Sequence, residues 1–308
     1  MNRSIVVVGS SNIDMIAQVA QFPRPGETVG NATFSQAYGG KGANQAVAAA
    51  RAGGQVSFIS CVGQDTFGQT MLRNFASEGI ITDYVLPHSS APTGTAIILV
   101  NEQGENCIAV APGANHQLTP SHIDAARVAI SAAEIILLQL EIPIETIAYV
   151  IDLAKSLGKK VMLNPAPAYP LDDALLRKLH MLVVNETEAE GMTRQTVSNV
   201  EEARQAAQTL LQKGPEAVII TLGAQWAYWP TRREQTMVAS SPVLTVDNTS
   251  PGDVFCGALS ASLSRSAKLG EAVQFANAAA ALSVTRLGAQ PSAPTESAIK
   301  AFLKEQEF

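Results

Sequence analysis

Ile5–Asp14 reads IVVVGSSNID. An apolar run that ends abruptly in glycine and serine is the pattern of a strand buried on both faces, as at the centre of a parallel sheet. A strand with one wet face would alternate apolar and polar residues instead. The same pattern recurs downstream. Gln55–Val62, Glu134–Leu140, Lys160–Asn164, Met181–Val184 and Ala217–Thr221 read as strands, and Asp65–Glu78, Ile144–Leu157 and Val200–Lys213 as helices between them. This alternation predicts an α/β fold, a doubly wound, mostly parallel sheet flanked by helices.

Two segments break the alternation. Ile16–Ala37 contains QFPRPGETVG and lacks helical period, and Thr93–Ala111 is two β-like runs around the polar turn Asn101–Asn106. The second reads as a hairpin. Both adjoin strand ends, where an open α/β sheet keeps its ligand crevice. The expectation is therefore a small β lid formed by residues 13–37 and 93–111; a decorative edge extension is the alternative. With no repeat, low-complexity run or linker, residues 1–308 read as a single domain.

Composition narrows the function classes. Apolar residues make up 46% and charged ones 16%, which supplies a large core and argues against disorder. The net charge is −6 with signs interleaved and no basic run, against a nucleic-acid surface. The stretch Ala132–Ala154 is apolar but interrupted by Glu134, Glu141, Pro143 and Glu145, against a membrane span. Cys61, Cys107 and Cys256 are odd in number and far apart, which fits a reducing cytoplasm better than a disulfide frame. Cys107 and Cys256 are expected to be packing residues.

Four segments carry chemistry. GGKGANQAVAAARAGG (Gly39–Gly54) places three glycines around Lys41 ahead of a helix over Ala43–Ala52. Its exposed N–H groups favour an anion or polar ligand, although tight helix packing gives the same pattern. It has neither the Walker nor the GxGxxG spacing. Asn12 and Asp14 follow the first strand; carboxylate and amide together suit a polyhydroxylated ligand, the alternative being an Asx turn. In NETEAE, Asn185 and Glu188 share one face of a helical turn and suit a hydrated Mg²⁺ beside a phosphate, or a capping box, or both. Finally, VDNTSPGDVFCGAL (Val246–Leu259) starts a helix near Pro251–Gly252. Its unpaired N–H groups make an anion hole, and Asp253 in the same turn can take a proton from an attacking hydroxyl. The alternative is that Asp253 only complements the helix dipole. Trp226 and Trp229 read as part of a strand pair beyond Gly223.

Together these segments resemble the ribokinase-like (PfkB) carbohydrate kinase family. The likeness runs nearly end to end, through GSSNID, GETV, GGKGANQAVAAARAG, TGTAIILVNEQGEN, LNPAPA, NETEAE, ITLG, Asp247–Asp253 and FANAAAALSVTRLGAQPS. The resemblance implies an ATP-dependent sugar kinase acting on the 5-hydroxyl of D-ribose, as a homodimer joined through the β lid. Asp253 would be the base, with Gly252 and Asp253 giving anion-hole N–H groups. Asn12, Asp14, Gly40, Lys41, Asn44 and Glu141 would line the sugar site. Asn185, Thr221, Gly223 and Asn277 would lie by the nucleotide, with Glu188 holding Mg²⁺ indirectly. Asp247, Thr249, Gly288 and Ser292 match a loop that holds K⁺ as an activator. Asp14 facing a 2,3-diol, with Asn12 beside it, points to ribose; deoxyribose, another furanose or a nucleoside are the alternatives.

The sequence departs from the family at Asn248, usually Thr, and at Ser250-Pro251, usually small residues such as Gly-Ala. Proline suits the first helical turn but removes an anion-hole donor. The expectation is an active, slowed kinase, with a weakly active sugar or nucleotide sensor as the alternative.

Overall fold

The computed structural model describes residues 4–223, 226–230, 235–239 and 243–306. Its strands are β1 (Ser4–Val8), β2 (Asn12–Gln18), β3 (Thr33–Gly39), β4 (Gln55–Gly63), β5 (Ile81–His88), β6 (Gly94–Val100), β7 (Asn106–Ala111), β8 (Ile135–Leu138), β9 (Lys160–Leu163), β10 (Met181–Asn185), β11 (Ala217–Leu222), β12 (Trp226–Pro230) and β13 (Gln235–Ala239). Its helices are α1 (Lys41–Arg51), α2 (Thr66–Ser77), α3 (Pro120–Ala125), α4 (Arg127–Ala132), α5 (Ile144–Ser156), α6 (Asp173–Leu176), α7 (Glu186–Thr193), α8 (Val200–Gln212), α9 (Pro251–Ser264), α10 (Leu269–Ser283) and α11 (Glu296–Glu305), with a 3₁₀ turn at Gly113–Gln117.

The large sheet runs in the order β13-β12-β11-β10-β9-β8-β1-β4-β5. From β11 to β5 neighbours are parallel; β12 and β13 close one edge antiparallel. β1 lies inside the sheet, between β8 and β4, and its two faces feed two cores. Ile5 and Val7 pack with Val47, Phe58, Phe75, Leu259 and Val273. Val6 and Val8 pack with Ile123, Ile147, Ile151 and Leu210. Burial on both faces is the reason the sequence shows no alternation there.

The two irregular segments form a second, mixed sheet of order β3-β2-β6-β7, parallel between β2 and β6 and antiparallel elsewhere. The hairpin turn is held by Asn101, whose Oδ1 accepts from the N–H groups of Gln103 and Glu105. Phe34, Ile97, Ile108 and Val110 are all more than half exposed on this sheet. Cys107, expected to pack, is exposed too.

Side-chain caps set several helix starts. Asp65 accepts from Gly68 N–H and Asn199 from Glu202 N–H, each at the first residue before its helix. α1 starts at Lys41, two residues ahead of the sequence expectation. Gly40, at φ +88°, turns the chain into the helix. Gly42 then lies so close to the end of β1 that a Cβ there would come within 2.5 Å of Ser10 N. β12 and β13 form the strand pair expected beyond Gly223; the side chains of Trp226 and Trp229 lie outside the described residues. Among the described residues no helix is long and apolar enough to cross a membrane.

Candidate active site

α9 and α1 meet through glycine and alanine. A Cβ on Gly257 would strike Ala48 Cβ at 2.6 Å and Gln45 O at 2.7 Å. This close crossing carries the first turn of α9 to the first turn of α1. There Asp253, only 4% exposed, accepts from Asn44 Nδ2 at 3.1 Å and from Gln45 Nε2 at 3.0 Å. Neutral amide donors hold the carboxylate without cancelling its charge. Lys41 stands nearby. The Asp253 charge raises the lysine's pKa most; burial opposes this, and Glu141 and Glu188 add to the rise. Lys41 is therefore a fixed cation.

Ser250, the N-cap of α9, adopts the left-handed conformation (φ 58°, ψ 31°), a region a glycine occupies without strain. Pro251 occupies the first helical position and brings no N–H. The Asp253 N–H donates to Ser250 O at 3.1 Å. Of the two anion-hole donors expected, Gly252 N–H is thus the one without a hydrogen bond among the described residues. A Cβ on Gly252 would meet nothing within 4 Å, so its flank is open.

On the small-sheet side, Asn12 and Asp14 share one face of β2. Asn12 is not in an Asx turn: its Oδ1 accepts from Asn115 Nδ2 at 2.7 Å. Asn115, in the 3₁₀ turn, also receives Ser11 N–H at 2.8 Å. Asn12 Nδ2 is left as a donor. The Asp14 carboxylate lies against Gly39, where a Cβ would come within 2.2 Å of Oδ1. Burial, and then repulsion from Glu141, raise Asp14 from 3.8 to about 7. Glu141 Oε2 accepts from Ser10 Oγ at 2.5 Å and from Lys41 N–H at 2.9 Å, fixing the start of α1. Gly40 passes Asn12 so closely that a Cβ would lie 2.8 Å from its N.

A cleft of about 490 Å³ opens from Asp253 along the ends of β10 and β11. Lys41, Asn164, Asn185, Glu188, Thr221, Gly223, Gly252, Asp253 and Asn277 contribute to its lining. Asn185 and Glu188 form a reciprocal capping box at the start of α7. Burial raises the Glu188 carboxyl, countered by Asn185 N–H and by Lys41. Among the described residues, no group of three His, Cys, Asp or Glu side chains could hold a metal ion. Glu186 and Glu188 bring carboxylates to the cleft without a closed cage, which fits Mg²⁺, an ion that keeps most of its waters and takes substrate phosphates as ligands.

Asp247 lies apart from the cleft lining. It ties two loops together: Oδ1 accepts from Thr249 N and Oγ1, and Oδ2 accepts from Gly288 N at 2.7 Å. Burial opposes its ionisation, but these bonds outweigh burial and hold the carboxyl below its usual range. Ser292 is buried and donates to Ala289 O. An oxygen-rich, anionic pair of loops is the donor chemistry a hard monovalent cation takes.

Gln45, Asn115, Gln139, Asn164 and Gln290, none of them expected at the site, are buried polar residues near it. A signal existed: Gln139 interrupts IILLQL, and Gln45 interrupts an alanine-rich helix. Buried amides need partners, so such interruptions mark hydrogen-bond networks.

A profile of the pfkB family carbohydrate kinases matches residues 2–296. The chain is 41% identical to the ribokinase of Haemophilus influenzae over 304 residues, covering 99% of both chains. It is 38% identical to the deoxyribokinase of Salmonella typhi over 304 residues, covering 98% of this chain and 99% of that one. Among solved structures, Arabidopsis thaliana ribokinase complexed with ribose and ATP superposes with a TM-score of 0.92 at 30% identity, covering 99% of each chain.

Proposed function

The chain belongs to the pfkB family of carbohydrate kinases, and from that premise we propose that it transfers the terminal phosphoryl group of ATP to the 5-hydroxyl of D-ribose, giving ribose 5-phosphate and ADP. The observation that carries this reading is Asp253: a buried carboxylate, held by two amide donors, in the first turn of a helix that opens onto the cleft. Asp253 takes the proton of the sugar hydroxyl as its oxygen bonds to phosphorus and the bond to the ADP oxygen breaks. Gly252 N–H and the positive end of α9 receive the charge on the transferred group. Asn185, Thr221, Gly223 and Asn277 seat the nucleotide. Glu188 would hold Mg²⁺ indirectly, and the ion would supply positive charge to the phosphates.

Asp14 accepts from the 2- and 3-hydroxyls, and Asn12 Nδ2 donates to a hydroxyl oxygen. Gly40, Lys41, Asn44 and Glu141 complete the sugar site. A sugar lacking the 2-hydroxyl leaves the half-buried Asp14 acceptor short of a partner, which disfavours deoxyribose. The ribokinase of Haemophilus influenzae and the ribose and ATP complex of the Arabidopsis enzyme support ribose; the similarity to a deoxyribokinase makes deoxyribose the competing substrate. Pro251, with Asp253 N–H turned into the helix, favours a second reading, a weakly active sugar or nucleotide sensor.

The Asp247–Thr249 and Gly288–Ser292 loops would hold K⁺ as an activator. The small sheet is a lid on one domain spanning 1–308, and its exposed apolar residues pair two copies into a homodimer. The enzyme works in the cytoplasm, as its separated cysteines suit. It acts on small molecules, without nucleic acid or membrane. A coupled ADP-release assay over a sugar and nucleoside panel, with and without K⁺, tests the proposal. Ribose should give the highest kcat/KM, enhanced by K⁺. Faster release with deoxyribose or a nucleoside would move the substrate, and silence with retained ribose binding would establish the sensor.

A further inference from the structure

A chain of side-chain amides runs from Asp253 into the core, and its donor–acceptor sense is fixed from one end. A carboxylate only accepts, so Gln45 must face Asp253 Oδ1 with its NH₂, at 3.0 Å. The same NH₂ donates to Asn164 Oδ1 at 3.2 Å. The Gln45 amide oxygen then points away and takes a hydrogen bond from Gln139 Nε2 at 2.6 Å. Gln139 Oε1 is left over. Among the described residues it is the buried side-chain polar atom with no hydrogen-bond partner. It is pressed against Gly9, where a Cβ would come within 2.0 Å of it. Both glutamines have no exposed surface.

An orphaned acceptor in a core is unfavourable, and an apolar residue at 139 would continue the run IILL without it. Turning Gln139 over does not help. Its carbonyl would oppose that of Gln45, or drive Gln45 over and set a carbonyl against the Asp253 carboxylate. The arrangement that gives Asp253 Oδ1 its donor leaves Gln139 Oε1 unpaired.

We propose that Gln139 is a positioning residue for the phosphoryl transfer: by donating to Gln45 it locks that amide with its NH₂ toward Asp253, which fixes the direction of the base. The role given to Asp253 rests on the kinase reading above. The charged and titratable groups facing Asp253 are Lys41 from α1, Glu188 from α7 and Cys256 on α9 itself, and the substitutions below leave all three in place.

Gln139→Met keeps length and removes the donor; Gln45→Met removes the bond to Asp253 directly. Two readouts apply: the pH dependence of kcat with ribose, and the titration of the Asp253 carboxyl carbon by NMR in the unliganded protein. In both variants the carboxyl titration and the acid limb of kcat should rise by about one pH unit, the size of one hydrogen bond to a charged group. On that limb kcat should fall about tenfold while KM for ribose and ATP changes less than about twofold. The double variant should lose no more than Gln45→Met alone, because the two residues act in series. An Asp253 titration matching wild type in a Gln139→Met protein that melts normally overturns the inference. If Gln139→Met does not fold, the same result in Gln45→Met overturns it. Absence of ribose turnover in wild type would count against the kinase reading, and the carboxyl titration would still decide the amide chain.

Discussion

Asp14→Asn should stabilise the protein while disabling it. Asp14 lies partly buried on β2, and burial with Glu141 repulsion brings its carboxyl from 3.8 to about 7. Below the ordinary pKa, folded and unfolded chains both hold the proton and nothing is lost. As pH rises toward 7, the unfolded chain releases its proton while the folded chain retains it, so stability falls; above 7 both are ionised and the full cost is present. That displacement corresponds to about 4 kcal/mol, and partial solvation of the carboxyl brings it to about 2–4 kcal/mol. With roughly 2.1 cal/mol/K of unfolding entropy per residue, a chain of 308 residues converts this to about 3–6 °C in Tm. Calorimetry should find Asp14→Asn more stable than wild type by that amount at pH 8.5, with the gap closing as pH approaches 4. Ribose turnover should fall by about 10² or more, since the diol loses its acceptor. Wild-type affinity for ribose should rise with pH through 7, because the sugar binds the ionised carboxylate. A Tm difference independent of pH, or a variant less stable at pH 8.5, would refute the reasoning.

Three other perturbations test separate parts of the site. Pro251→Ala restores an N–H at the start of α9 and should raise kcat, with a ceiling of roughly 10²–10³ set by the worth of one oxyanion donor; an unchanged steady-state rate would show that the missing donor does not limit turnover. Asp247→Asn weakens the tie to Thr249 and Gly288, so the ratio of rates with and without K⁺ should approach one; a ratio matching wild type would remove K⁺ from these loops. Ile108→Lys with Val110→Lys places charge on exposed apolar positions of β7; if the lid pairs two copies as proposed, sedimentation should show a dimer for wild type and monomers for the variant, and a variant dimer would place the interface elsewhere.

The fold was legible because its signals are local. IVVVG announces a strand buried on both sides, and Asn101 with Gly104 announces a hairpin. The start of α9 was legible from Pro251 for the same reason. The part that escaped is non-local. Nothing near Gln45 in sequence shows that Gln139 lies across from it, 94 residues away, or that Asn115 comes back from 103 residues away to hold Asn12. Gly257 reads as one more small residue in an apolar helix, yet it permits the crossing that places Asp253 against α1. The bond from Asp253 N–H to Ser250 O and the left-handed φ of Ser250 are likewise not written in the local sequence.

The most direct measurement is ribose-dependent ADP release by Asp253→Asn, with ribose binding followed calorimetrically on the same preparation. An amide cannot take the hydroxyl proton, so turnover should drop by about 10²–10⁴ while ribose still binds. Release at the wild-type rate would contradict the assignment of Asp253 as the base and the chemistry built on it.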